Sequence, residues 1–413
     1  MILIAGAGIG GLTLALSLHQ IGVPCRVFEA VDALAPLGVG INVQPHAIKE
    51  LDALGLVPKL DRIGVRTAEV AYFSAHGAKI WVEPRGARAG YKWPQFSIHR
   101  GHLQMLLFEE VLSRLGPEAI QTRSRVTGWE SHADGVDVAL ASGETIHGDL
   151  FVAADGIHSA ARAHLYPDEG PPLWAGVLMW RGTTWGKPFL SGRSMAMAGH
   201  GALKFVTYPI GERDGADGPE VLINWVADVK FPDDHVWERE DWRRRGDVAD
   251  LEPLFGTWNF PWLDIAQVIA STPEVLEWPM VDRDPLPRWT HGRMTLLGDA
   301  AHPMYPIGSN GASQAILDAR VLAREIRDKA AVPAALEAYE AERLPVTSKL
   351  VLANRDEGPD KAMDVVHQRA PDGFDRLEDV ISQDELAEIA ARYKATAGMD
   401  IERLNAAPSI LEA

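Results

Sequence analysis

The first twenty residues carry an apolar pattern that predicts a buried strand followed by a helix. The stretch MILIAGAGIGGLTLALSLHQ has no charged side chain apart from a histidine, and four glycines crowd six of its positions. A signal peptide needs positive charge ahead of its apolar run, and a membrane span needs about twenty apolar residues. The pattern therefore favours a strand at Ile2–Ala5, a glycine turn, and a helix from about Gly10 to Gln20.

The next segments extend this start into a parallel sheet. The apolar stretch PCRVFEA predicts a second strand that ends at Glu29, which completes a strand–helix–strand unit. Helical spacing of apolar residues predicts helices at Pro45–Leu54 and Gly101–Leu115. The alternating stretch VTGWESHADGVDVALASGETIHG predicts a hairpin, and DLFVAADG predicts a further buried strand.

The pattern changes between about Leu173 and Met280. The runs VLMWRGTTW, LKFVTYPI and EVLINWVADV have strand character, and ten of the thirteen tryptophans lie between Trp174 and Trp289. These features predict a second, mainly antiparallel sheet inserted into the first domain. The segment GRMTLLGDAAHPMYPIGSNGASQAILDARVLAREI then returns to the first domain as a strand, a loop and a long helix, and the polar tail after Asn354 is predicted to be helical.

Composition narrows the class of protein. The 413 residues carry a formal charge of −17, and the isoelectric point is near 5.3. This balance argues against nucleic-acid binding and against adhesion to anionic membranes. Cys25 is the single cysteine, so an intramolecular disulfide and a cysteine metal cluster are excluded. Because no targeting segment is visible, we expect a cytoplasmic protein.

The glycine turn has the spacing of a dinucleotide-binding site. In the pattern GxGxxG, Gly6 makes the tight turn, Gly8 allows a pyrophosphate to approach the backbone, and Gly11 lets the helix pack on the strand. Glu29 follows Gly11 at about the distance expected for an acid that binds a ribose hydroxyl. The alternatives are a glycine-rich turn without a ligand and a solvated acid at a strand end. The pattern alone does not separate NAD from FAD.

Three further motifs resemble the class A flavoprotein monooxygenases, a family of FAD-dependent aromatic hydroxylases. The first is Gly298-Asp299-Ala300-Ala301-His302-Pro303, in which the resemblance implies that Gly298 and Asp299 bind the ribityl chain of FAD. The second is AADGIHSAAR, whose Asp155 belongs to a motif associated with FAD and transient NAD(P)H binding. The third is SIHRGHLQMLL, whose Arg100 matches a flavin-contacting arginine. The resemblance spans roughly Met1 to Asn354.

Other stretches look like one subgroup of this family. PLGVGINVQPHAIKELDALGL, EPRG, FSIHRGHLQMLL, MWRG and PMVDRDPLPRW resemble the bacterial phenazine hydroxylases. Salicylate and 3-hydroxybenzoate hydroxylases are wider relatives that share fewer of these stretches.

The resemblance implies a fold and a domain division. We expect an α/β fold in which a Rossmann-like FAD-binding domain carries an inserted, mainly antiparallel substrate sheet, as in p-hydroxybenzoate hydroxylase, followed by a helical tail. The FAD-binding domain is predicted at residues 1–72, 97–172 and 281–354. The substrate sheet is predicted at 73–96 and 173–280, and the C-terminal helical extension at 355–413.

The resemblance also implies an activity. We expect an oxidoreductase that binds FAD non-covalently and uses NADH or NADPH as a transient co-substrate with O2. It would hydroxylate a phenolic or N-heteroaromatic ring through a flavin C4a-hydroperoxide. Gly308, Asn310 and Gly311 belong to a loop that can present a helix N-terminus to the negative charge of reduced flavin. The alternative for this loop is simple helix capping.

Candidate substrate and catalytic residues follow from position in the motifs. The candidates for the pocket wall are Trp180, Tyr208, Trp225, Tyr305 and Pro306, although each aromatic can instead be ordinary packing. Pro306, Tyr208 and His200 are the catalytic candidates. The sequence identifies no residue as a catalytic base. His302 is expected to be a histidine that packs within the loop. Arg181 and Arg193 either meet a substrate carboxylate or pair with acids of the protein.

Several questions stay open at this level. The sequence has no GxSxG elbow, which argues against a serine hydrolase. It has no HExxH motif that would suggest a metal site. A reductase or halogenase relative, or a non-catalytic flavoprotein sensor, would have the same scaffold. The sequence does not identify the aromatic substrate, the choice between NADH and NADPH, or whether the protein is a monomer or a homodimer.

Overall fold

A computed structural model describes residues 1–232, 234–235, 244–356, 361–396 and 400–412. The strands in these ranges are β1 (Ile2–Ala5), β2 (Cys25–Phe28), β3 (Gly40–Val43), β4 (Gly64–Thr67), β5 (Glu69–Phe73), β6 (Lys79–Pro84), β7 (Gln95–His99), β8 (Ile120–Gln121), β9 (Val126–Ser131), β10 (Val136–Leu140), β11 (Thr145–Gly148), β12 (Leu150–Ala153), β13 (Leu173–Gly186), β14 (Ser194–His200), β15 (Leu203–Gly215), β16 (Gly218–Lys230), β17 (Asn259–Phe260), β18 (Leu263–Asp264), β19 (Val275–Asp282) and β20 (Met294–Leu296).

The α-helices are α1 (Ile9–Gln20), α2 (Pro45–Ala53), α3 (Val57–Leu60), α4 (Arg100–Leu115), α5 (Ala160–Leu165), α6 (Glu252–Phe255), α7 (Ile265–Ala270), α8 (Gly311–Asp328), α9 (Val332–Asp356), α10 (Lys361–Arg369), α11 (Gln383–Thr396) and α12 (Ile401–Ala406). The predicted helices at the first glycine turn, at residue 45 and at residue 101 are therefore confirmed. No helix in the described ranges is long and apolar enough to cross a membrane.

A five-stranded parallel sheet forms the first layer. Its strand order is β20-β12-β1-β2-β8, and the strands pair in parallel. All four residues of β1 and all four of β12 are buried, as expected for central strands covered on both faces. Each fully buried Leu or Ile contributes about 1.5–3 kcal/mol to stability. The Rossmann-like prediction is confirmed.

A seven-stranded sheet forms the second layer. Its order is β19-β13-β16-β15-β14-β5-β6, and only the β14–β5 pair is parallel. The mainly antiparallel prediction is therefore confirmed. One face packs on the short helices α6 and α7, and the other packs partly on α10 and α11 of the C-terminal segment. Strand β5 of this sheet begins at Glu69, whereas the sequence analysis assigned residues up to 72 to the FAD-binding domain. The division into domains stays a prediction.

A small sheet and the chain end connect these layers. Strands β3, β7 and β4 form a three-stranded antiparallel sheet between the two larger ones. The tail beyond Asn354 is helical where it is described, and residues 357–360, 397–399 and 413 lie outside the described ranges. After α12 the chain returns to the first layer, where the backbone N–H of Ile410 donates to Glu50 Oε1 at 3.1 Å.

A buried ion pair supports this return. Arg320 on α8 donates from Nε to Glu50 Oε2 at 3.1 Å, and both side chains are almost fully buried. Ser409 Oγ donates to the same carboxylate oxygen at 2.9 Å. Glu50 therefore joins α2, α8 and the chain terminus through one carboxylate.

We expect Glu50→Ala to lower the free energy of unfolding by about 3–5 kcal/mol, because Arg320 would keep a buried charge without its carboxylate. Urea denaturation followed by tryptophan fluorescence measures this change. The control is Asp32→Ala, which removes an exposed ion pair with Arg123 and should change stability little. Equal effects of the two substitutions would contradict the role given to Glu50.

Candidate active site

The turn between β1 and α1 leaves open space beside the backbone at Gly8 but not at Gly6 or Gly11. Gly6 has φ +100°, and a side-chain carbon there would lie 2.4 Å from the carbonyl oxygen of Ala154. A side-chain carbon at Gly11 would lie 2.1 Å from the carbonyl oxygen of Gly6. At Gly8, by contrast, a side-chain carbon would meet nothing within 4 Å. Packing of the protein on itself requires Gly6 and Gly11, whereas Gly8 leaves room for a phosphate at the N-terminus of α1.

Glu29 lies beside this turn, directly after β2. Its Oε2 accepts a hydrogen bond from the Ala7 N–H at 2.8 Å, and its Oε1 accepts one from the Val31 N–H at 3.0 Å. A carboxylate offers about four lone-pair sites, so the fixed carboxylate can still accept hydrogen bonds from the hydroxyls of a ribose.

The Asp155-Gly156 motif lies against the same turn. The Cα of Asp155 would be 3.2 Å from a side-chain carbon at Gly6. Asp155 Oδ2 accepts from the Ala160 N–H at 2.9 Å, while its buried Oδ1 has no hydrogen-bond partner among the described residues. Burial raises the pKa of Asp155, and hydrogen bonds from Ser159 and nearby backbone groups oppose that rise. This motif and the glycine turn thus form one side of a cleft.

Asp299 lies in a short 3₁₀ turn, Gly298–Ala300, that follows β20. Its side chain is open to the cleft, yet protein surrounds it deeply enough that desolvation raises its pKa. The charges of His302 and Arg100 oppose this rise. Arg100, at the start of α4, therefore lies near enough to Asp299 to influence its charge. Gln104, one turn along α4, donates from Nε2 to the Ala7 carbonyl at 2.8 Å and ties α4 to the glycine turn.

Arg162 connects the two aspartate motifs. Its guanidinium is buried, and Nη1 donates to the carbonyl of Ala301 at 2.9 Å and to that of Ala300 at 3.3 Å. Nε donates to Glu169 Oε2 at 2.8 Å. Arg162 fixes the backbone that carries Asp299, so its contribution to the site is structural.

Asp318 on α8 is a central residue that the sequence reasoning missed. Its Oδ2 accepts from the Gly298 N–H at 3.1 Å and lies 2.5 Å from His302 Nε2, while its Oδ1 accepts from Arg343 Nε at 2.7 Å. Burial alone would raise the pKa of Asp318, but the charges of His302 and Arg343 outweigh it and lower the pKa. His302 is a packing residue, as expected. The feature of the sequence that could have identified Asp318 is an acid on the apolar face of a predicted helix.

The loop before α8 presents a helix N-terminus to the cleft. Gly308 has φ +69° and Ser309 has φ +58°, which turns the chain sharply before the helix. Asn310 precedes α8, and a side-chain carbon at Gly311 would meet nothing within 4 Å. Gln44 supports the loop, because its Nε2 donates to the Gly308 carbonyl at 3.3 Å. The free N–H groups of α8 favour negative charge at this position.

A cavity lies between this loop and the seven-stranded sheet. Four methionines and two valines supply most of its apolar surface, namely Met179, Met195, Met197, Met280, Val206 and Val226. Residues 306–309 of the loop line the opposite side. The polar lining comes from Arg181, Lys204, Tyr208 and Asp228. This mixture of apolar side chains and a few polar groups is typical of the lining of small-molecule sites.

The backbone of Gly40, at the start of β3, joins the cavity wall to the small three-stranded sheet. Its N–H donates to Asn224 Oδ1 at 2.6 Å, and its carbonyl accepts from Tyr208 Oη at 2.8 Å and from Arg181 Nη2 at 3.0 Å. A side-chain carbon at Gly40 would lie 2.7 Å from Asn224 Cγ and 2.8 Å from Tyr208 Cε2. Only glycine allows this approach without displacing neighbours.

The structure corrects the placement of two pocket candidates. Trp180 and Trp225 lie in the core on the opposite face of the seven-stranded sheet, and Trp225 Nε1 donates to Thr272 Oγ1 at 2.8 Å. Because side chains alternate along a strand, their neighbours Arg181 and Val226 line the cavity instead. Sequence pattern identified the strands but not which of their faces meets the cleft.

His200 and Tyr305 do not line the cavity. The His200 ring stacks on His367 of α10 at 3.7 Å, and burial lowers its pKa, with the charge of His367 adding to this effect. Tyr305 packs in the apolar cluster beneath the loop, and burial raises its pKa to about 12. Pro306 and Tyr208 do line the cavity. Arg193 forms an exposed ion pair with Glu212 at 3.5 Å.

The geometry fits FAD. The glycine turn, Glu29, Asp155 and Asp299 follow the carboxyl ends of the neighbouring parallel strands β1, β2, β12 and β20, so they lie along one edge of the sheet. No group of three or more His, Cys, Asp or Glu side chains in the described part of the chain is placed to hold a metal ion.

Comparison with known proteins supports the same cofactor. The FAD binding domain family model matches residues 1–174 and 264–354. The phenazine 1,6-dicarboxylic acid hydroxylase PhzS of Lysobacter antibioticus is 47% identical over 363 residues, which cover 86% of this chain and 89% of that protein. The 3-hydroxybenzoate 6-hydroxylase 1 of Aquipseudomonas alcaligenes is 32% identical over 371 residues, covering 86% and 87%.

A solved structure extends this similarity to the whole fold. HpxO of Klebsiella pneumoniae, in complex with FAD and uric acid, superposes with a TM-score of 0.72 at 27% identity and covers 98% of this chain and 95% of that one. These relatives support a hydroxylase and give no support to the reductase, halogenase or sensor alternatives. The chain belongs to the family of FAD-dependent aromatic hydroxylases.

Proposed function

We propose that this enzyme hydroxylates a planar, fused N-heteroaromatic acid of the phenazine carboxylate type. The observation that carries the proposal is the methionine- and valine-lined cavity that faces the loop at Pro306. Methionine is polarizable and adapts its shape, so such a surface suits the face of a large flat ring. The 47% identical relative is named for a phenazine dicarboxylic acid, and the motif resemblance points to the same subgroup.

The proposed cofactor contacts follow the cleft. Gly6, Gly8 and Gly11 shape the pyrophosphate site, and Glu29 accepts from the ribose. Asp155 and Asp299 accept from hydroxyl and ribityl groups. FAD, when bound, supplies hydride acceptance from NAD(P)H and the activation of O2.

The loop before α8 and the N-terminus of α8 influence the charge of the flavin ring. Gly308, Asn310 and Gly311 bring free backbone N–H groups of a helix N-terminus to the cleft, and such a terminus stabilises negative charge by about 0.3–1 kcal/mol when exposed and up to about 2 kcal/mol when partly buried. Arg100 adds a positive side chain on the other side. Together they favour the reduced, anionic form of the cofactor.

The cavity wall orients the substrate and excludes water. Pro306 contributes an apolar contact where the loop meets the cavity. The Tyr208 hydroxyl proton points at the Gly40 carbonyl, so its oxygen can accept a hydrogen bond but does not donate one to a substrate. Burial also raises the pKa of Tyr208, so we propose a positioning role rather than that of a base. His200 has no proposed part in the reaction.

The cellular setting is a further part of the proposal. One cysteine and an acidic surface are compatible with a cytoplasmic enzyme that acts as a monomer or homodimer on a small aromatic substrate and O2. We keep the division into residues 1–72, 97–172 and 281–354 against 73–96 and 173–280, with an extension at 355–413, as part of this proposal.

We expect Asp299→Ala to weaken FAD binding about 10- to 150-fold, because a charged acceptor for ribityl hydroxyls contributes about 1.5–3 kcal/mol. Dialysis followed by absorbance of the retained flavin measures the change. Asp168→Ala, at an exposed turn position, is the control. Equal flavin retention in the two variants would contradict the role of Asp299.

We expect Gly40→Ala to weaken substrate binding by about 5- to 150-fold, since shifts of Tyr208 and Arg181 would disturb packing by roughly 1–3 kcal/mol. Substrate titrations monitored by the flavin spectrum give the dissociation constant, and flavin occupancy is expected to stay high. Gly128→Ala is the matched control, because a side-chain carbon there meets nothing within 4 Å. An unchanged dissociation constant in Gly40→Ala would argue against this contact.

We expect phenazine-1-carboxylate to accelerate anaerobic bleaching of the flavin by NADH or NADPH, since substrate-dependent closure commits the site to reduction. Stopped-flow absorbance measures the rate with phenazine, quinoline and salicylate acids. Acceleration by salicylate but by neither fused acid would contradict the proposed ring class.

A further inference from the structure

Three charged side chains line the cavity in the described part of the chain: Arg181, Lys204 and Asp228. They come from the neighbouring strands β13, β15 and β16. Lys204 pairs directly with Asp228 across β15 and β16, and Arg181 pairs with Val226 one cavity-facing position along β16. Strand register alone therefore places the acid between the two bases on one face of the sheet.

The acid pairs with Lys204 and lies near Arg181. Lys204 and Asp228 are 8% and 6% exposed, and Lys204 Nζ lies 3.2 Å from Asp228 Oδ2. Burial lowers the pKa of Arg181, and the charges of Tyr208 and Asp228 oppose this effect. Arg181 is therefore close enough to Asp228 to be influenced by its charge.

Arg181 is held in a fixed position beside the cavity. Its Nη2 donates to the Gly40 carbonyl, and its guanidinium carbon lies 5.1 Å from the centre of the Trp278 ring. Its Nε has no hydrogen-bond partner among the described residues. A planar guanidinium that is fixed in this way is suited to binding a carboxylate.

The charges of the three residues do not cancel. Arg181 and Lys204 are positive and Asp228 is negative, so the group carries a net charge of +1. Water can solvate this charge while the cavity is open. When an aromatic ring displaces the water, a leftover buried charge becomes costly unless an anion accompanies it.

We infer that the Arg181–Asp228–Lys204 triad selects substrates that insert one carboxylate into the cavity, with Asp228 setting that number by neutralising one of the two cations. The remaining lining residues near the triad, Met179, Met197 and Val206, provide no countercharge. A second carboxylate on the same substrate would lie outside the triad. This inference rests on the proposed function, because it concerns the same cavity.

Paired acids and amides test the inference with the FAD-loaded enzyme. The probes are phenazine-1-carboxylate and its carboxamide, and quinoline-4-carboxylate and its carboxamide. Dissociation constants come from changes in the flavin spectrum, without turnover. In the wild type we expect the acid to bind at least about tenfold more tightly than its amide, as charge-assisted hydrogen bonds require.

Two variants test whether the acid preference depends on the net charge of the triad or on the Lys204 side chain itself. Lys204→Met leaves a net charge of zero, so acid binding should weaken about tenfold or more while amide binding changes less than about threefold. Lys204→Met with Asp228→Asn restores a net charge of +1 through Arg181, so the preference for the acid should return. Flavin occupancy and amide binding report whether each variant is folded.

Three results would overturn the inference: equal binding of acid and amide by the wild type, an unchanged acid preference in Lys204→Met, or no recovery in the double variant. The ring systems distinguish this from failure of the proposed function. If only the quinoline acid binds and its preference follows the charge count, the triad inference stands and the phenazine assignment fails.

Discussion

The backbone N–H and C=O groups of Gly40 form the contact on which the geometry of the active site depends. Both groups bind side chains of the seven-stranded sheet, through Asn224, Tyr208 and Arg181. Buried backbone groups must be paired, so these bonds fix one preferred distance between β3 of the small sheet and the cavity wall. Any side chain at this position would push the two apart. The cavity therefore has a defined wall facing the Pro306 loop.

A second set of buried interactions holds the cofactor side of the cleft. Asp318 fixes the turn that carries Asp299, and Arg162 fixes the same turn from the opposite side. Neither residue needs to touch a ligand for this purpose. Because the binding groups are already in place, little conformational entropy has to be lost when a cofactor binds. The site combines rigid backbone positions with adaptable methionines at the substrate.

The sequence predicted most of the fold and the cofactor cleft because both depend on short-range patterns. The glycine spacing at Gly6, Gly8 and Gly11, and the strand ends at Glu29 and Asp299, are local features. The wall of the cavity depends instead on strand register. Trp180 and Arg181 are adjacent in sequence but lie on opposite faces, and nothing local indicates which face meets the cleft.

Long-range partners were equally invisible in the sequence. The sequence does not distinguish Gly40 from the other glycines, because its partners Asn224 and Tyr208 lie far away in the chain. Asp318 stands out only as an acid on the apolar face of a helix, and its partners His302 and Arg343 become visible only in the fold. Such residues gain their importance only from segments far away in the chain, whereas motif residues show it through their immediate neighbours.

A crystal structure of the FAD-loaded enzyme with phenazine-1-carboxylate tests the central claim most directly. We expect the flavin ring to lie between the N-terminus of α8 and the cavity, with the substrate ring on the methionine surface and its carboxylate at Arg181. A flavin that contacts neither Gly8 nor Asp299, or a substrate bound on the tryptophan face of the sheet, would contradict it.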